Sequence, residues 1–172
     1  MAEEFINKVA ESGIITLNLE DFFPTEDIAV FDLKDYLFMG LILKEKDFRE
    51  SLKNLDTSAF EQKIVAVACS ADAIIPMWAY MLVAAKIQPV AKKFLFGTSD
   101  QVKQEILMDR IRSIDAAPYI DQRIVIKGCG ELPIPEKAYL EIVNKLRPVA
   151  KSIMYGEPCS TVPVYKKPIQ RT

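Results

Sequence analysis

The chain has 172 residues, of which half are hydrophobic and 27% are charged. This length and composition are typical of a single packed domain and exclude a largely disordered chain. The formal net charge of −2 argues against a nucleic-acid-binding surface, because phosphate contacts need a concentrated basic patch. The sequence contains no histidine, which excludes every catalytic mechanism and metal site that depends on imidazole.

The amino terminus and the longest apolar stretch bear on location. The chain begins with acidic and amphipathic residues and lacks the basic and apolar regions of a secretory signal. The apolar stretch from Ala73 to Ala85 is interrupted by Pro76 and is shorter than the roughly 20 residues that span a membrane. We therefore expect a cytoplasmic protein without a membrane partner, whose three cysteines are reduced.

The first 60 residues predict short elements. Residues 3–12 carry an apolar helical face and precede Gly13, which indicates a short amphipathic helix. The runs 14–19 and 28–33 predict short strands, and residues 47–55 predict a helix. We expect this N-terminal third, residues 1–60, to add edge strands and packing helices to the core that follows.

From residue 64 onward, short apolar runs alternate with helical patterns. The predicted strands are 64–68, 92–96, 123–127 and 152–155. Between them, helices are predicted at 77–84, 99–111 and 135–146, and the first of these is apolar nearly all round, as in a helix packed in the interior. This alternation over 64–155 predicts βαβ units. The predicted fold is a single α/β domain with a predominantly parallel sheet and helices on both faces.

The last residues, 160–172, are predicted to form a C-terminal tail. A basic cluster lies in this tail, at Lys166, Lys167 and Arg171. We interpret the cluster as part of a solvated terminus, and the alternative is an arm that docks a partner.

Each of the three cysteines, Cys69, Cys129 and Cys159, follows the end of a predicted strand. Because the carboxyl ends of parallel strands meet at one edge of a sheet, we expect the three thiols to lie close together. Three thiolates can bind zinc or iron, and an iron–sulfur cluster would need one further ligand. The flanking segments supply four supporting residues: Ser70, Asp72, Glu131 and Glu157. The opposite interpretation is that the cysteines are small apolar core residues and hold no cofactor.

Three segments carry a resemblance to a known family. They are CSADAIIPMWAY at 69–80, KGCG at 127–130 followed by 135–139, and GEPCSTVP at 156–163 followed by 165–167. Together they resemble a bacterial family typical of Bacteroidetes, the domain of unknown function 2480, to which no activity is assigned. The resemblance implies an association with iron–sulfur assembly genes, and therefore iron–sulfur assembly proteins as partners.

The leading hypothesis is a cytoplasmic metal- or thiol-site protein, an accessory to iron–sulfur cluster assembly, with Cys69, Cys129 and Cys159 as ligands. The first alternative is an enzyme that uses one of these thiols as a nucleophile, activated by a helix N-terminus because no histidine base exists. The second alternative is a non-catalytic partner-binding domain with structural cysteines. Whether the protein is an enzyme stays open among these three hypotheses.

Overall fold

The computed structural model describes residues 13–128, 130–157 and 159–168, in which strands and helices alternate. The strands are β1 (Ile14–Asn18), β2 (Ile28–Asp32), β3 (Ile64–Ala68), β4 (Lys93–Phe96), β5 (Arg123–Lys127), β6 (Ser152–Glu157) and β7 (Ser160–Lys166). The helices are α1 (Glu45–Lys53), α2 (Met77–Ile87), α3 (Ser99–Arg112) and α4 (Glu136–Leu146). The α/β class is confirmed. The helix predicted at 3–12 lies outside the described residues.

The strands form two sheets, one with the order β1-β5-β6-β7 and the other with the order β2-β3-β4. All neighbouring strands are parallel except β6 and β7, so the predominantly parallel arrangement is confirmed. The prediction of one sheet is wrong, because apolar alternation identifies a strand but carries no information about its pairing partner. The described residues accordingly divide into two compact units. One unit contains the residues up to Pro24 together with those from Ile106 onward, and the other contains Thr25–Glu105.

The unit Thr25–Glu105, here called the three-stranded unit, has a core in which sheet residues pack with α1 and α2. Val65 and Phe31, on neighbouring strands, contribute to this core together with Phe48 of α1 and Val83 of α2. Aromatic rings extend it, since the ring of Phe48 lies 5.3 Å from that of Tyr36 in an edge-on arrangement. The strand β3 is buried from Ile64 to Val67, which explains its uninterrupted apolar sequence.

Helix α2 differs from the prediction of an interior helix. Its sequence is apolar nearly all round, yet its buried residues are Ala79, Val83 and Ile87, one helical stripe. Met77 and Met81 are 73% and 71% exposed, so apolar composition overstated the burial of this helix.

The other unit, here called the four-stranded unit, contains β1 and β5 to β7. Its core joins Ile124 and Ile126 of β5 and Ile153 of β6 to Ile142 of α4 and Ile111 of α3. The strand β1 lies at the edge of this sheet and β2 lies at the edge of the other. The expectation that the N-terminal third supplies edge strands is therefore confirmed, with one strand in each sheet.

The strand β7 occupies residues that the sequence assigned to a tail. It pairs antiparallel with β6 and carries a register shift opposite Ile153 and Met154, next to Pro163. Proline and a bulge are typical of an edge strand, and they hide the alternation by which strands are recognised. None of the helices in the described part of the chain combines the length and the hydropathy needed to cross a bilayer.

Candidate functional site

Two of the three cysteines follow neighbouring strands of the four-stranded unit. β5 and β6 pair in parallel, with Ile126 opposite Tyr155 near their carboxyl ends. Cys159 is exposed and lies in the connection between β6 and β7. Cys129 lies outside the described residues, and in the sequence it comes two positions after Lys127, the last residue of β5. The segments that carry Cys129 and Cys159 thus begin side by side at one edge of the sheet.

An ion pair joins the carboxyl ends of β5 and β6. The ammonium of Lys127 lies 3.1 Å from one carboxylate oxygen of Glu157 and 3.4 Å from the other. The Glu157 side chain is 51% exposed, and such partly solvated pairs contribute at most about 1 kcal/mol. Glu157, predicted as a supporting residue, is therefore beside the Cys159 turn and is held there only weakly. Glu131 is exposed.

The segment around Cys129 begins with a glycine in tight contact with helix α4. A Cβ on Gly128 would lie 2.7 Å from the hydroxyl oxygen of Tyr139 and 3.3 Å from the Cβ of Leu19. These distances leave no space for a side chain. The contacts favour glycine at this position, because a larger residue would have to displace the Tyr139 ring.

The other end of this segment is held by Glu20, which follows β1. A Cβ on Gly130 would collide with the Glu20 carboxylate. The same carboxylate accepts a hydrogen bond from the backbone N–H of Leu132 at 3.1 Å. Sequence reasoning missed Glu20, although it lies just beyond a strand end, the same position that singled out the cysteines.

Cys69 follows β3 and so belongs to the three-stranded sheet. The expectation that all three cysteines follow strands of one sheet is therefore wrong, because β3 pairs with β2 and β4 and not with β5 or β6. The Cys69 thiol is half-buried and donates to the carbonyl oxygen of Ala71 at 3.6 Å. It also packs against the core of its own unit.

A carboxylate and a hydroxyl meet beside Cys69. The hydroxyl of Ser70 donates to Asp32 at 2.6 Å, and the backbone N–H of Ser70 donates to the same carboxylate at 3.0 Å. Burial would raise the pKa of Asp32, but these bonds, the backbone N–H of Lys34 and the nearby Lys34 ammonium together hold that pKa below its ordinary value. Ser70 thus anchors the loop to β2. Asp72, the other predicted supporting residue here, is exposed.

The remaining surroundings of Cys69 are apolar. Burial raises the pKa of Tyr80, and the neighbouring Cys69 thiol adds to that effect. The Tyr80 ring lies edge-on to Phe96 at 5.6 Å, and both line an apolar groove of about 380 Å³. A half-buried thiol between apolar groups is typical of a packing residue. These surroundings favour the core interpretation for Cys69 more than for Cys159.

The chain matches the family described as protein of unknown function (DUF2480) over residues 3–167. It belongs to the DUF2480 family. The match covers nearly the whole sequence, so the resemblance carried by the cysteine-containing segments is confirmed. No curated protein and no solved structure matches the chain.

Membership of DUF2480 assigns no chemistry, so the donor atoms themselves must be compared with what a metal requires. Among residues 13–128, 130–157 and 159–168, no three Cys, Asp or Glu side chains are grouped so that they could hold a metal ion. A thiolate site in this DUF2480 protein would therefore depend on Cys129, together with Cys159 and a carboxylate from the same edge. Such a donor set suits zinc or iron.

Proposed function

We propose that the protein binds zinc or iron through the thiolates of Cys129 and Cys159 at the carboxyl edge of the four-stranded sheet. The parallel pairing of β5 with β6 carries this proposal, because the two cysteine-bearing segments leave the sheet from neighbouring strands. Zinc binds thiolate sulfur at about 2.3 Å, so two ligating sulfur atoms lie within about 4 Å of one another. Neighbouring strands are about 4.8 Å apart, which is compatible with that requirement.

One carboxylate completes the proposed donor set, and there are two candidates for it. Glu157 lies at the end of β6 and Glu131 follows the glycine segment, so each comes from one of the two segments that supply a thiol. Replacing the ion pair between Lys127 and Glu157 by a metal–carboxylate bond costs little, because the pair is partly exposed. In this proposal Cys69 is a packing residue of the other unit and not a ligand.

The biological setting that we propose is cytoplasmic, because thiolate ligands must stay reduced. A site with two thiolates and a carboxylate leaves a coordination position open for a water or for a ligand from another molecule. An open site is suited to passing a metal ion on, and we propose an accessory role in iron–sulfur cluster assembly on that basis. Iron–sulfur assembly proteins are the partners expected for such a role.

Metal content of the purified protein tests the proposal. The wild-type protein and the variants Cys129→Ser, Cys159→Ser and Cys69→Ser are purified without oxygen and analysed for zinc and iron. We expect about one equivalent of metal in the wild type and in Cys69→Ser, and a loss of metal in the other two variants. Loss from all three variants would instead indicate a shared three-thiol site.

Alkylation of Cys159 gives an independent readout. Cys159 is exposed, so a free thiol at this position reacts readily with iodoacetamide. We expect the metal-loaded protein to react slowly and to become reactive after a chelator removes the metal. Equal rates with and without chelator, in a protein that contains no metal, contradict the proposal. Fast reaction of the resting protein would favour the nucleophile alternative.

A further inference from the structure

A groove of about 690 Å³ lies on the four-stranded unit, at the opposite end of the strands from Cys159. Four lining residues occupy paired positions across the sheet: Ile14 opposite Arg123, Arg123 opposite Ser152, and Ser152 opposite Lys166. Residues paired in this way project their side chains from the same face of a sheet. Arg123 and Lys166 therefore place two cations in one row across the strands.

The charged side chains that line this groove are all positive. Lys151 and Lys167 line it together with Arg123 and Lys166, and no acidic side chain is among its described lining residues. The Lys167 ammonium lies 2.8 Å from the carboxylate of Asp121, which neutralises one of the four cations. Three positive charges remain in a protein whose formal net charge is −2. Within the described part of the chain, Arg123 and Lys166 make no ion pair.

The groove also has apolar walls. Met154, Pro163 and the half-buried ring of Tyr165 line it beside the cations. The guanidinium of Arg147 lies 4.9 Å from the centre of the Tyr165 ring, a cation–π contact that helps to hold that ring in place. The volume falls within the range of roughly 300–1,000 Å³ that is typical of small-molecule sites. A single inorganic anion would fill only a small part of it.

We propose that this groove binds a small organic anion that carries two or more phosphate groups. Arg123 and Lys166 lie two strands apart, a separation of about 10 Å. A ligand that contacts both must therefore carry at least two anionic groups along its length. Guanidinium and ammonium groups donate charge-assisted hydrogen bonds to phosphate oxygens. The apolar walls would contact the organic part of the ligand.

Binding of ATP tests this proposal, with inorganic tripolyphosphate and adenosine as separate probes of the charged and the uncharged parts. Calorimetric titrations compare the wild type with the double variant Arg123→Gln/Lys166→Gln. The control is Lys46→Gln/Lys137→Gln, which removes the same charge from exposed lysines outside the groove. We expect ATP to bind the wild type and the control equally, and the groove variant about tenfold or more weakly. Tripolyphosphate should bind weakly and adenosine should not bind.

Three results would overturn the proposal. The first is equal ATP affinity in the groove variant and the control variant, with both folded by circular dichroism. The second is binding of adenosine as tight as that of ATP. The third is binding of a single-stranded oligonucleotide without any binding of ATP, which would indicate a macromolecular polyanion. Cys159→Ser serves as a further control, because ATP affinity that depends on Cys159 would reflect the metal site and not the groove.

Discussion

Asp32, the last residue of β2, accepts two hydrogen bonds from Ser70, one from its hydroxyl at 2.6 Å and one from its backbone N–H at 3.0 Å. This contact ties the loop that carries Cys69 to the neighbouring strand. Only 16% of the Asp32 side chain is exposed, although Ser70 is exposed and leaves the two bonds accessible to water. The pair contributes to stability as well as to the shape of the loop.

Asp32→Asn should destabilise the protein at neutral pH by about 2 kcal/mol, because hydrogen bonds to a charged carboxylate are replaced by weaker ones. The free energy of unfolding, measured by urea titration, checks this value. Asp72→Asn is the matched control, since Asp72 is exposed in the same loop, and its change should stay within about 0.5 kcal/mol. Equal losses in the two variants would contradict the role of the contact.

The contribution of Asp32 should also depend on pH. The pKa of Asp32 is lower in the folded protein than the ordinary value of an aspartate, so the ionised carboxylate favours the folded state. This stabilisation is complete above the unfolded pKa of about 3.9 and is lost as the pH falls through the lower folded value. The difference in unfolding free energy between wild type and Asp32→Asn should therefore stay constant above about pH 5 and shrink as the pH falls below about 4. A difference in unfolding free energy that stays constant down to about pH 3 would contradict this role of the Asp32 carboxylate.

Gly128→Ala should destabilise the protein by about 1–3 kcal/mol, since the new methyl group would overlap the Tyr139 hydroxyl. The double variant Gly128→Ala/Tyr139→Phe removes that oxygen. We expect the double variant to be more stable than the sum of the two single changes predicts, which a double-mutant cycle of urea titrations measures. If the two changes in unfolding free energy are strictly additive, the methyl group clashes with an atom other than the Tyr139 hydroxyl oxygen.

Phe48→Ala should cost about 3–5 kcal/mol, because Phe48 is 1% exposed and lies in the core of the three-stranded unit. Phe96→Ala removes the same atoms from a residue that is 76% exposed and should cost less than about 1 kcal/mol. Urea titrations of both variants test this difference. A large loss of stability in Phe96→Ala would instead show that the contact between the Phe96 and Tyr80 rings is essential for stability.

Glu157→Gln separates a structural role of this carboxylate from a role as a metal ligand. The ion pair with Lys127 is partly exposed, so its loss should change the free energy of unfolding by less than about 1 kcal/mol. If Glu157 completes the proposed metal site, zinc affinity should fall in this variant, as measured by competition with a chelating dye. Glu61→Gln, at an exposed position in the other unit, is the control. Unchanged zinc affinity would remove Glu157 from the donor set.

Local structure could be predicted well from the sequence. The strands at 64–68 and 123–127 agree with β3 and β5 to the residue, because uninterrupted β-branched runs have few alternatives. Helix α3 also begins where predicted, at Ser99. The pairing of these strands could not be predicted, since a partner is chosen by packing between segments that are distant in sequence.

The candidate site was predictable only in part, for the same reason. The cysteines stood out because each follows a strand and is a rare residue. Glu20 and Asp32 occupy equivalent positions, but single acidic residues near strand ends are common and carry no spacing signature. Their roles follow from hydrogen bonds to Leu132 and Ser70, which lie far from them in the chain.

The connectivity of the two sheets has a consequence for synthesis on the ribosome. The strands β2, β3 and β4 are consecutive in the sequence, so their sheet can assemble as soon as that stretch has emerged. The strand β1 emerges first but pairs with β5, so it must wait until nearly all of the intervening chain has been translated. During that interval its backbone N–H and C=O groups have no native strand partner, which exposes β1 to mispairing in the nascent chain.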